Sequence, residues 1–401
     1  MLRRAPIMAI CGTRPEAIKL APVVIALRDR GHRVIIVSTG QHVDVASRLL
    51  HEAGLSVDVD LAVHQPGNSP AQLLAGILTH LPPVMAAYQP ALALVQGDTV
   101  SALAGALAAS YARVPVAHVE AGLRTHERDE PFPEEMHRCA ITPLASLHFA
   151  PTCQAAAELE REGIDPASIH LSGNTGIDAV LGAAARLDAD PLLGAAMAER
   201  FPFVEGCERP LLLATVHRRE NIGVRLSSIA AGLARLAGFC EAEIIVPLHP
   251  NPAVAAQLRT RLGRLAGVHL MPAVDHLAMV WLMRRCHLLL TDSGGLQEEA
   301  PALGLRTLVL RTVTERPEAI AAGAAELVPL TADAIVAATR AALARPRMEP
   351  VFPFGNGTAA AQIARVIDRW MSPARARTGT ARTVVPRAAA RLPRPEPNLR
   401  D

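Results

Sequence analysis

Short, nearly uninterrupted apolar runs punctuate the chain, each followed by a polar or glycine-bearing turn and then by a stretch with helical spacing. In the first half these runs are Ile7 to Cys11, Val34 to Ser38, Ala91 to Gln96, Val114 to Val119 and Leu147 to Ala150. A second series comprises Leu211 to Val216, Glu243 to Leu248, Val268 to Met271, His287 to Thr291 and Thr307 to Leu310. Runs this short, without apolar–polar alternation, read as strands buried on both faces. Their alternation with helices predicts an α/β fold of doubly wound parallel sheets.

At 401 residues the chain exceeds the ~100–200 residues of one domain, so two domains with a cleft between them are expected. The stretch Ser172-Gly-Asn-Thr-Gly176 and the helix after it form the expected crossover between two Rossmann-like halves. The expected division is an N-terminal Rossmann-like domain over 1–175, a C-terminal Rossmann-like domain over 176–350, a helix over 351–372 crossing back, and a disordered tail over 373–401. For that last helix, Gly355-Asn-Gly-Thr358 offers a cap, and Ile363, Val366, Ile367 and Trp370 then share one face.

Hydrophobic residues make up 50% of the chain but aromatics only 3%. The core must therefore come from Ala, Leu, Val and Ile, a palette that suits sheets sandwiched by helices. The net charge is +2, but the tail from Pro373 carries seven Arg against two acids, so the remaining body stands at −3. A mildly acidic body without basic stripes argues against a nucleic-acid partner. Cys11, Cys139, Cys153, Cys207, Cys240 and Cys286 form no C-x-x-C pair. They fit neither a zinc pattern nor a disulfide framework, and buried, reduced thiols in a cytoplasmic protein are expected. The opening MLRRAPIMAICGTR has a short apolar run ending at Arg14 and no small-residue cleavage site, so it reads as a first strand rather than a leader. No apolar run reaches the ~18 residues of a membrane span.

Ligands of open α/β sheets bind at the carboxyl ends of strands, and here those ends carry the chemistry. They are Gly12-Thr-Arg-Pro-Glu16 with Lys19 a turn later, Gly97-Asp-Thr99, Glu120-Ala-Gly-Leu-Arg124, His217-Arg-Arg-Glu-Asn221, His249-Pro-Asn-Pro252 and Asp292-Ser-Gly-Gly295. Each has a plainer explanation. Asp98 could cap the helix beginning at Thr99, Glu134 and Glu135 suit the start of the helix after Pro133, His217 could belong to a solvated basic face, and Ser293-Gly294-Gly295 could be a tight turn. Glycines before a helix also offer N–H groups to phosphate oxygens. For Glu120, directly after a buried run, a structural reason is harder to find. Taken together, these plain explanations would all have to hold at once. No G-x-G-x-x-G follows the first strand, and neither Tyr88 nor Tyr111 has a Lys four residues on. A redox route through NAD is therefore not expected, nor any other cofactor.

The motifs Gly12-Thr-Arg-Pro-Glu-Ala17, Thr39-Gly-Gln-His42, Gln96-Gly-Asp-Thr99, His118-Val-Glu-Ala-Gly-Leu-Arg-Thr125, Pro131-Phe-Pro-Glu-Glu135, Gly173-Asn-Thr175, His217-Arg-Arg-Glu-Asn221, Asp292-Ser-Gly-Gly-Leu-Gln-Glu-Glu299 and Thr314-Glu-Arg-Pro-Glu318 resemble the bacterial non-hydrolysing UDP-N-acetylglucosamine 2-epimerases. They occur in family order from residue 7 to about residue 371. The resemblance implies a glycosyltransferase-B-like fold, a UDP-sugar substrate and a homodimer, with no nucleic acid or membrane as partner. It implies that Asp98, Glu120, Glu134 and His217 are catalytic. It further implies that Arg14, Lys19, His217, Ser293, Gly294, Gly295 and Arg316 hold the diphosphate, that Glu299 meets the ribose, and that Arg138 lies near the sugar. Family members often bind a second UDP-GlcNAc beside the active site, through residues matching Gln41, Arg218 and His249 and a basic residue in the loop after the third strand. That loop here, His64-Gln-Pro-Gly-Asn-Ser-Pro70, has no Arg or Lys. Other departures are His137 where the family commonly has Asn, Gly176 in place of a branched residue, and Thr312 where an acid often follows Arg311. The alternative readings are a hydrolysing relative that releases ManNAc and UDP, a glycosyltransferase of the same architecture, and a catalytically silent sugar-nucleotide sensor.

Overall fold

The structure, a computed structural model, describes residues 5–372 apart from 43–44, 66, 130, 217, 219–220, 240, 250 and 315. The expectations placed on His217, Cys240 and the 373–401 tail lie outside the described residues.

The first sheet contains β1 (Ile7–Cys11), β2 (Val34–Ser38), β3 (Val59–Asp60), β4 (Leu92–Gln96), β5 (Val116–Val119), β6 (Leu147–Ala150) and β7 (Ile169–Leu171), in the order β3-β2-β1-β4-β5-β6-β7. Its helices are α1 (Arg14–Asp29), α2 (Val45–Glu52), α3 (Pro70–Tyr88), α4 (Val100–Tyr111), α5 (Glu134–Ile141) and α6 (Cys153–Arg161). Then α7 (Thr175–Ala189) and α8 (Pro191–Arg200) lead to the second sheet, β8 (Leu211–Thr215), β9 (Glu243–Leu248), β10 (Val268–Pro272), β11 (Leu288–Thr291), β12 (Thr307–Val309) and β13 (Ala325–Leu327). Its order is β10-β9-β8-β11-β12-β13, and it is flanked by α9 (Val224–Gly238), α10 (Pro252–Leu262), α11 (His276–Arg285), α12 (Gly294–Ala302), α13 (Pro317–Ala321) and α14 (Ala332–Leu343). The described strand pairs are all parallel.

Successive side chains of a strand point to opposite faces, which explains why the apolar runs are continuous. Ile7, Ala9 and Cys11 join the core under α1, while Met8 and Ile10 join the core under α3 and α4. In β8, Leu211 and Leu213 face the core with Trp281 and α7, while Leu212 and Ala214 face the one with α9. Every layer needs apolar residues on both sides, so no alternation appears.

The last helix, α15 (Ala359–Trp370), returns to the first sheet. Ile363 and Ile367 are fully buried in the core with Leu20 and Val24 of α1, and Val366 and Trp370 pack against that core. Its expected cap is corrected in detail. Thr358 occupies the cap position but donates to Asn356 Oδ1 at 2.7 Å, while the first N–H groups of the helix go to Asp178 of α7, at 3.3 Å from Ala359 and 2.9 Å from Ala360. The two segments that pass between the sheets also touch one another. Gly173 (φ +83°) and Gly355 (φ +113°) lie face to face, a Cβ on Gly355 would sit 3.2 Å from Gly173 Cα, and Asn174 N donates to Phe354 O at 2.7 Å. Only glycine combines that left-handed backbone with so close an approach.

Cys11 and Cys286 are buried free thiols, but Cys139 and Cys153 are exposed and Cys207 is half-buried, which corrects the expectation of uniformly buried cysteines. The exposed pair sit on the outer faces of short helices whose cores are supplied by other residues. Among the described residues, no helix is long and apolar enough to cross a membrane.

Candidate active site

Each sheet reverses its strand order once, at β1/β4 and at β8/β11, and the loops leaving those strands bear the polar residues. After β1, Thr13 and Glu16 cap α1 reciprocally. Glu16 Oε2 accepts from the N–H groups of Gly12 (2.9 Å) and Thr13 (2.8 Å), and its Oε1 accepts from Thr99 Oγ1 at 2.6 Å. Burial pushes this carboxyl up to about 6. Glu16 thereby ties the loop after β1 to the one after β4.

Asp98 sits in that second loop, and it is not the helix cap. Thr99 caps α4, accepting from Ala102 N at 3.0 Å. Asp98 is held instead from α5: Arg138 Nη2 donates to its Oδ2 at 2.5 Å, and His137 Nδ1 donates to its main-chain oxygen at 2.8 Å. One residue earlier, Gly97 O accepts from His118 Nε2 at 2.7 Å. Burial pushes His118 down to about 3, so this imidazole is a neutral donor at ordinary pH. Glu135 anchors α5, its Oε1 accepting from Thr125 N (3.0 Å) and His126 N (3.1 Å) and its Oε2 lying 3.5 Å from Arg138 Nη1. The side chain of Glu134, half-buried in the first turn of α5, has no hydrogen-bond partner among the described residues.

Glu120 follows β5 with φ +64°, a left-handed conformation that costs a non-glycine residue on the order of 1–3 kcal/mol and persists only where the surroundings fix it. They do so here. Its Oε2 accepts from Lys19 Nζ at 2.5 Å and from Gln96 Nε2 at 2.9 Å. Burial alone would depress the Lys19 ammonium, but the carboxylates of Glu120 and Glu298 outweigh it and hold it above its usual value. Glu298 belongs to α12 of the second sheet. Its Oε2 lies 3.5 Å from Lys19 Nζ and accepts from Asn174 Nδ2 at 2.8 Å, and its Oε1 accepts from Arg316 Nε at 2.9 Å. A continuous polar path, Gln96 to Glu120 to Lys19 to Glu298 to Arg316, thus crosses from one sheet to the other.

At the start of α12, Ser293 holds the cap position without a side-chain cap bond. A Cβ on Gly294 would come within 2.9 Å of Arg316 Cζ, so the guanidinium rests directly on this glycine. Uncapped helix N–H groups beside a guanidinium form an anion cradle. Glu299 folds back over the same turn, its Oε1 lying 3.7 Å from where a Gly295 Cβ would be. Burial pushes Glu299 up to about 7, against the pull of Lys19 and with a push from Glu298. Arg14 opens α1 half-buried; burial lowers it, opposed by the charges of Glu299 and Asp275 across the cleft. Asp292 accepts from Arg218 N and from Asn221 Nδ2, both at 2.9 Å, and so pins the loop after β8 to the one after β11.

The structure therefore gathers Lys19, Glu120, Gly294 and Arg316 into one array, with Glu299 and Arg14 beside it and the Asp98–Arg138 pair on the first-sheet wall. Gln41 is turned inward, its Oε1 accepting from Ser101 N at 3.2 Å and Ser101 Oγ at 2.7 Å. His249 is exposed and accepts from Asn251 N at 3.2 Å. Sequence reasoning missed Gln96, Asn174, Glu298, His118 and Glu135 as members of the site. All five stand within the motifs quoted above, so the available signal was their adjacency to residues already chosen. A separate cavity of about 530 Å³, between β7 and α15, shares no residue with this array.

Two doubly wound parallel sheets meeting at a charged cleft define the glycosyltransferase-B-like class. The family model for UDP-N-acetylglucosamine 2-epimerase matches residues 25–368. The UDP-N-acetylglucosamine 2-epimerase of Salmonella typhimurium is 41% identical over 333 residues, covering 82% of this chain and 88% of the relative. The crystal structure of the Neisseria meningitidis UDP-GlcNAc 2-epimerase bound to UDP-GlcNAc superposes with a TM-score of 0.86 at 35% identity, covering 91% of this chain and all (100%) of that one. The Methanocaldococcus jannaschii enzyme in complex with UDP-GlcNAc and UDP gives a TM-score of 0.78 at 31% identity, covering 90% and 98%. The chain belongs to the UDP-N-acetylglucosamine 2-epimerase family and is an isomerase.

Proposed function

We propose that this enzyme inverts C2 of a UDP-linked 2-acetamido sugar, interconverting UDP-GlcNAc and UDP-ManNAc by elimination and re-addition of UDP. The observation that carries this reading is the juxtaposition, in one cleft, of carboxylates on the first sheet with Lys19, Arg316 and the start of α12. The C2 proton is not adjacent to a ring carbonyl, so its direct removal is very unfavourable. Departure of the diphosphate from C1 must accompany it. A carboxylate takes the C2 proton while the C1–O bond breaks, and its electrons leave with UDP. The intermediate, 2-acetamidoglucal, has a C1=C2 double bond. UDP then re-adds at C1 as a proton arrives at C2 from the opposite face.

In this reading Asp98, Glu120, Glu134 and His217 carry the proton transfers, a contribution of typically ~10²–10⁴-fold for a positioned base. Lys19, Arg14, Arg316, His217 and the N–H groups of Ser293, Gly294 and Gly295 hold the diphosphate, where fixed donors stabilise the charge that develops on the leaving group. Glu299 meets the ribose and Arg138 orients the sugar side through Asp98. The working division remains 1–175 and 176–350, with 351–372 crossing back, in a cytoplasmic homodimer. Light scattering of the purified protein tests the dimer.

The deciding experiment is proton NMR of UDP-GlcNAc with the purified enzyme in D₂O, without added NAD or metal. UDP-ManNAc carrying deuterium at C2 is expected. Retained protium at C2 would eliminate the mechanism, and free ManNAc with UDP as the stable products would identify a hydrolysing enzyme instead.

A further inference from the structure

We propose that Glu298 is a positioning residue for the leaving group: it aligns Lys19 and Arg316, which come from opposite sides of the cleft, onto one diphosphate. This rests on the diphosphate reading above. Two cations aimed at the same group repel one another, and the charge of Arg316 does oppose that of Lys19. Glu298 stands between them and uses its two oxygens separately, Oε1 for Arg316 Nε at 2.9 Å and Oε2 for Lys19 Nζ at 3.5 Å. Only 3% of this residue is exposed. A buried carboxylate is costly unless it is paired and hydrogen-bonded, and each partner of this one is a member of the array or part of the segment that joins the sheets. That third partner is Asn174, which donates to Oε2 at 2.8 Å while its own Oδ1 caps α7 through Gly176 N at 2.8 Å. Gly176 adds room for the arrangement, since a Cβ there would already lie 3.4 Å from Lys19 Cε. A branched residue at 176 would press on the lysine stem.

The geometry separates two consequences of the negative charge. If Glu298 only diluted the positive potential of the cleft, neutralising it would tighten binding of an anion. If it positions the cations, neutralising it leaves Lys19 to Glu120 alone, removes the tie between Lys19 and Arg316, and weakens binding although the cleft has become more positive. The signs are opposite.

The test is isothermal titration of UDP into the full-length wild type, Glu298→Gln and Glu298→Asp. UDP affinity is expected to fall at least tenfold in Glu298→Gln. It should recover by severalfold in Glu298→Asp, which restores the charge one methylene short. During turnover of UDP-GlcNAc, Glu298→Gln should also release more free UDP and 2-acetamidoglucal per epimer formed than the wild type. Equal or tighter UDP binding by Glu298→Gln overturns the proposal. Should Glu298→Gln fail to fold, Glu298→Asp decides alone: UDP affinity at least threefold below wild type supports the proposal, and unchanged affinity overturns it. Because the titration uses UDP only, a wild type that binds UDP but does not epimerise UDP-GlcNAc would count against the catalytic reading and not against this one.

Discussion

His137 Nδ1 donates to the main-chain oxygen of Asp98 at 2.8 Å, and the next residue, Arg138, grips the Asp98 carboxylate at 2.5 Å. Consecutive residues of α5 thus fix both the backbone and the side chain of one proposed acid–base group. His137 is 5% exposed, so loss of its N–H leaves a partly buried carbonyl unsatisfied, at a cost of ~1–3 kcal/mol. Asn places its amide N–H near the position of Nδ1. His137→Asn is therefore expected to keep kcat within about threefold of wild type. His137→Leu is expected to lower kcat by about tenfold or more, with KM little changed. Steady-state kinetics on UDP-GlcNAc check both, and equal kcat for the Leu and Asn variants would show that the bond does not matter.

Glu120 and Asp98 are expected to separate in a second way. Among the described residues Asp98 pairs only with α5, whereas Glu120 shares Lys19 with Glu298. Asp98→Asn should abolish turnover while leaving UDP affinity near that of wild type. Glu120→Gln should abolish turnover as well, but it also removes the shorter of the two carboxylate contacts on Lys19, a cation proposed for the diphosphate, so UDP binding is expected to change measurably. Arg14→Ala should weaken UDP by about ten- to a hundredfold, as expected for ~1.5–3 kcal/mol of charge-assisted contact. Titration of UDP into the three variants tests the set.

Much of the architecture was legible because the inner strands must be apolar on both faces. Ile7–Cys11, Val34–Ser38, Leu147–Ala150 and Glu243–Leu248 fall where the runs placed them. The strands that no apolar run marked, Val59–Asp60, Ile169–Leu171 and Ala325–Leu327, are all at sheet edges. An edge strand has one neighbour and can be short and half-exposed, so it leaves no apolar run to read. The site shows the same limit in another form. Motif residues such as Glu120 and Lys19 were visible one by one, but the pairing of Lys19 with Glu298, 279 positions apart, depends on how the sheets face one another. Local pattern carries no information about that. At Asp98 the plainer alternative fails: a cap was plausible by type and position, yet the helix begins at Val100 and Thr99, one residue nearer, takes that role.

Glu299 gives the protein a pH-dependent cost. Its folded value, raised by burial to about 7, exceeds the ordinary glutamate value of ~4.3. Between these limits the folded protein binds more protons than the unfolded one, so stability falls as pH rises through that window, and the penalty is complete above it. Glu299→Gln removes the titration. It is expected to raise Tm by a few degrees at pH 8, at roughly 2–4 °C per kcal/mol for a unit of this size, and to leave Tm nearly unchanged at about pH 4, below the ordinary glutamate value. Thermal melts at both pH values decide it; an equal shift at the two would remove Glu299 as the source.

The remaining prediction concerns the second nucleotide site that the family resemblance implies. Of its proposed contacts, Gln41 is already committed, its Oε1 accepting from both the N–H and the hydroxyl of Ser101. His249 is exposed and uses Nδ1 to receive Asn251 N. The loop after β3 has no Arg or Lys: its Asn68 Nδ2 donates to Val63 O at 3.3 Å, and Ser69 serves as the cap of α3. A second diphosphate would have to draw Gln41 away from Ser101 and would lack one charge-assisted partner. Each of these is worth ~1 kcal/mol or more at a partly desolvated site. Activation by an effector can be no larger than its differential binding to the active state, so weak binding here means weak activation. The reverse reaction, started from pure UDP-ManNAc, is therefore expected to proceed at once, with no lag and no requirement for UDP-GlcNAc. Added UDP-GlcNAc should raise the initial rate less than twofold. Initial rates measured with and without it settle the matter, and a preparation that stays silent until UDP-GlcNAc is supplied would show that Gln41, Arg218 and His249 suffice without a basic loop.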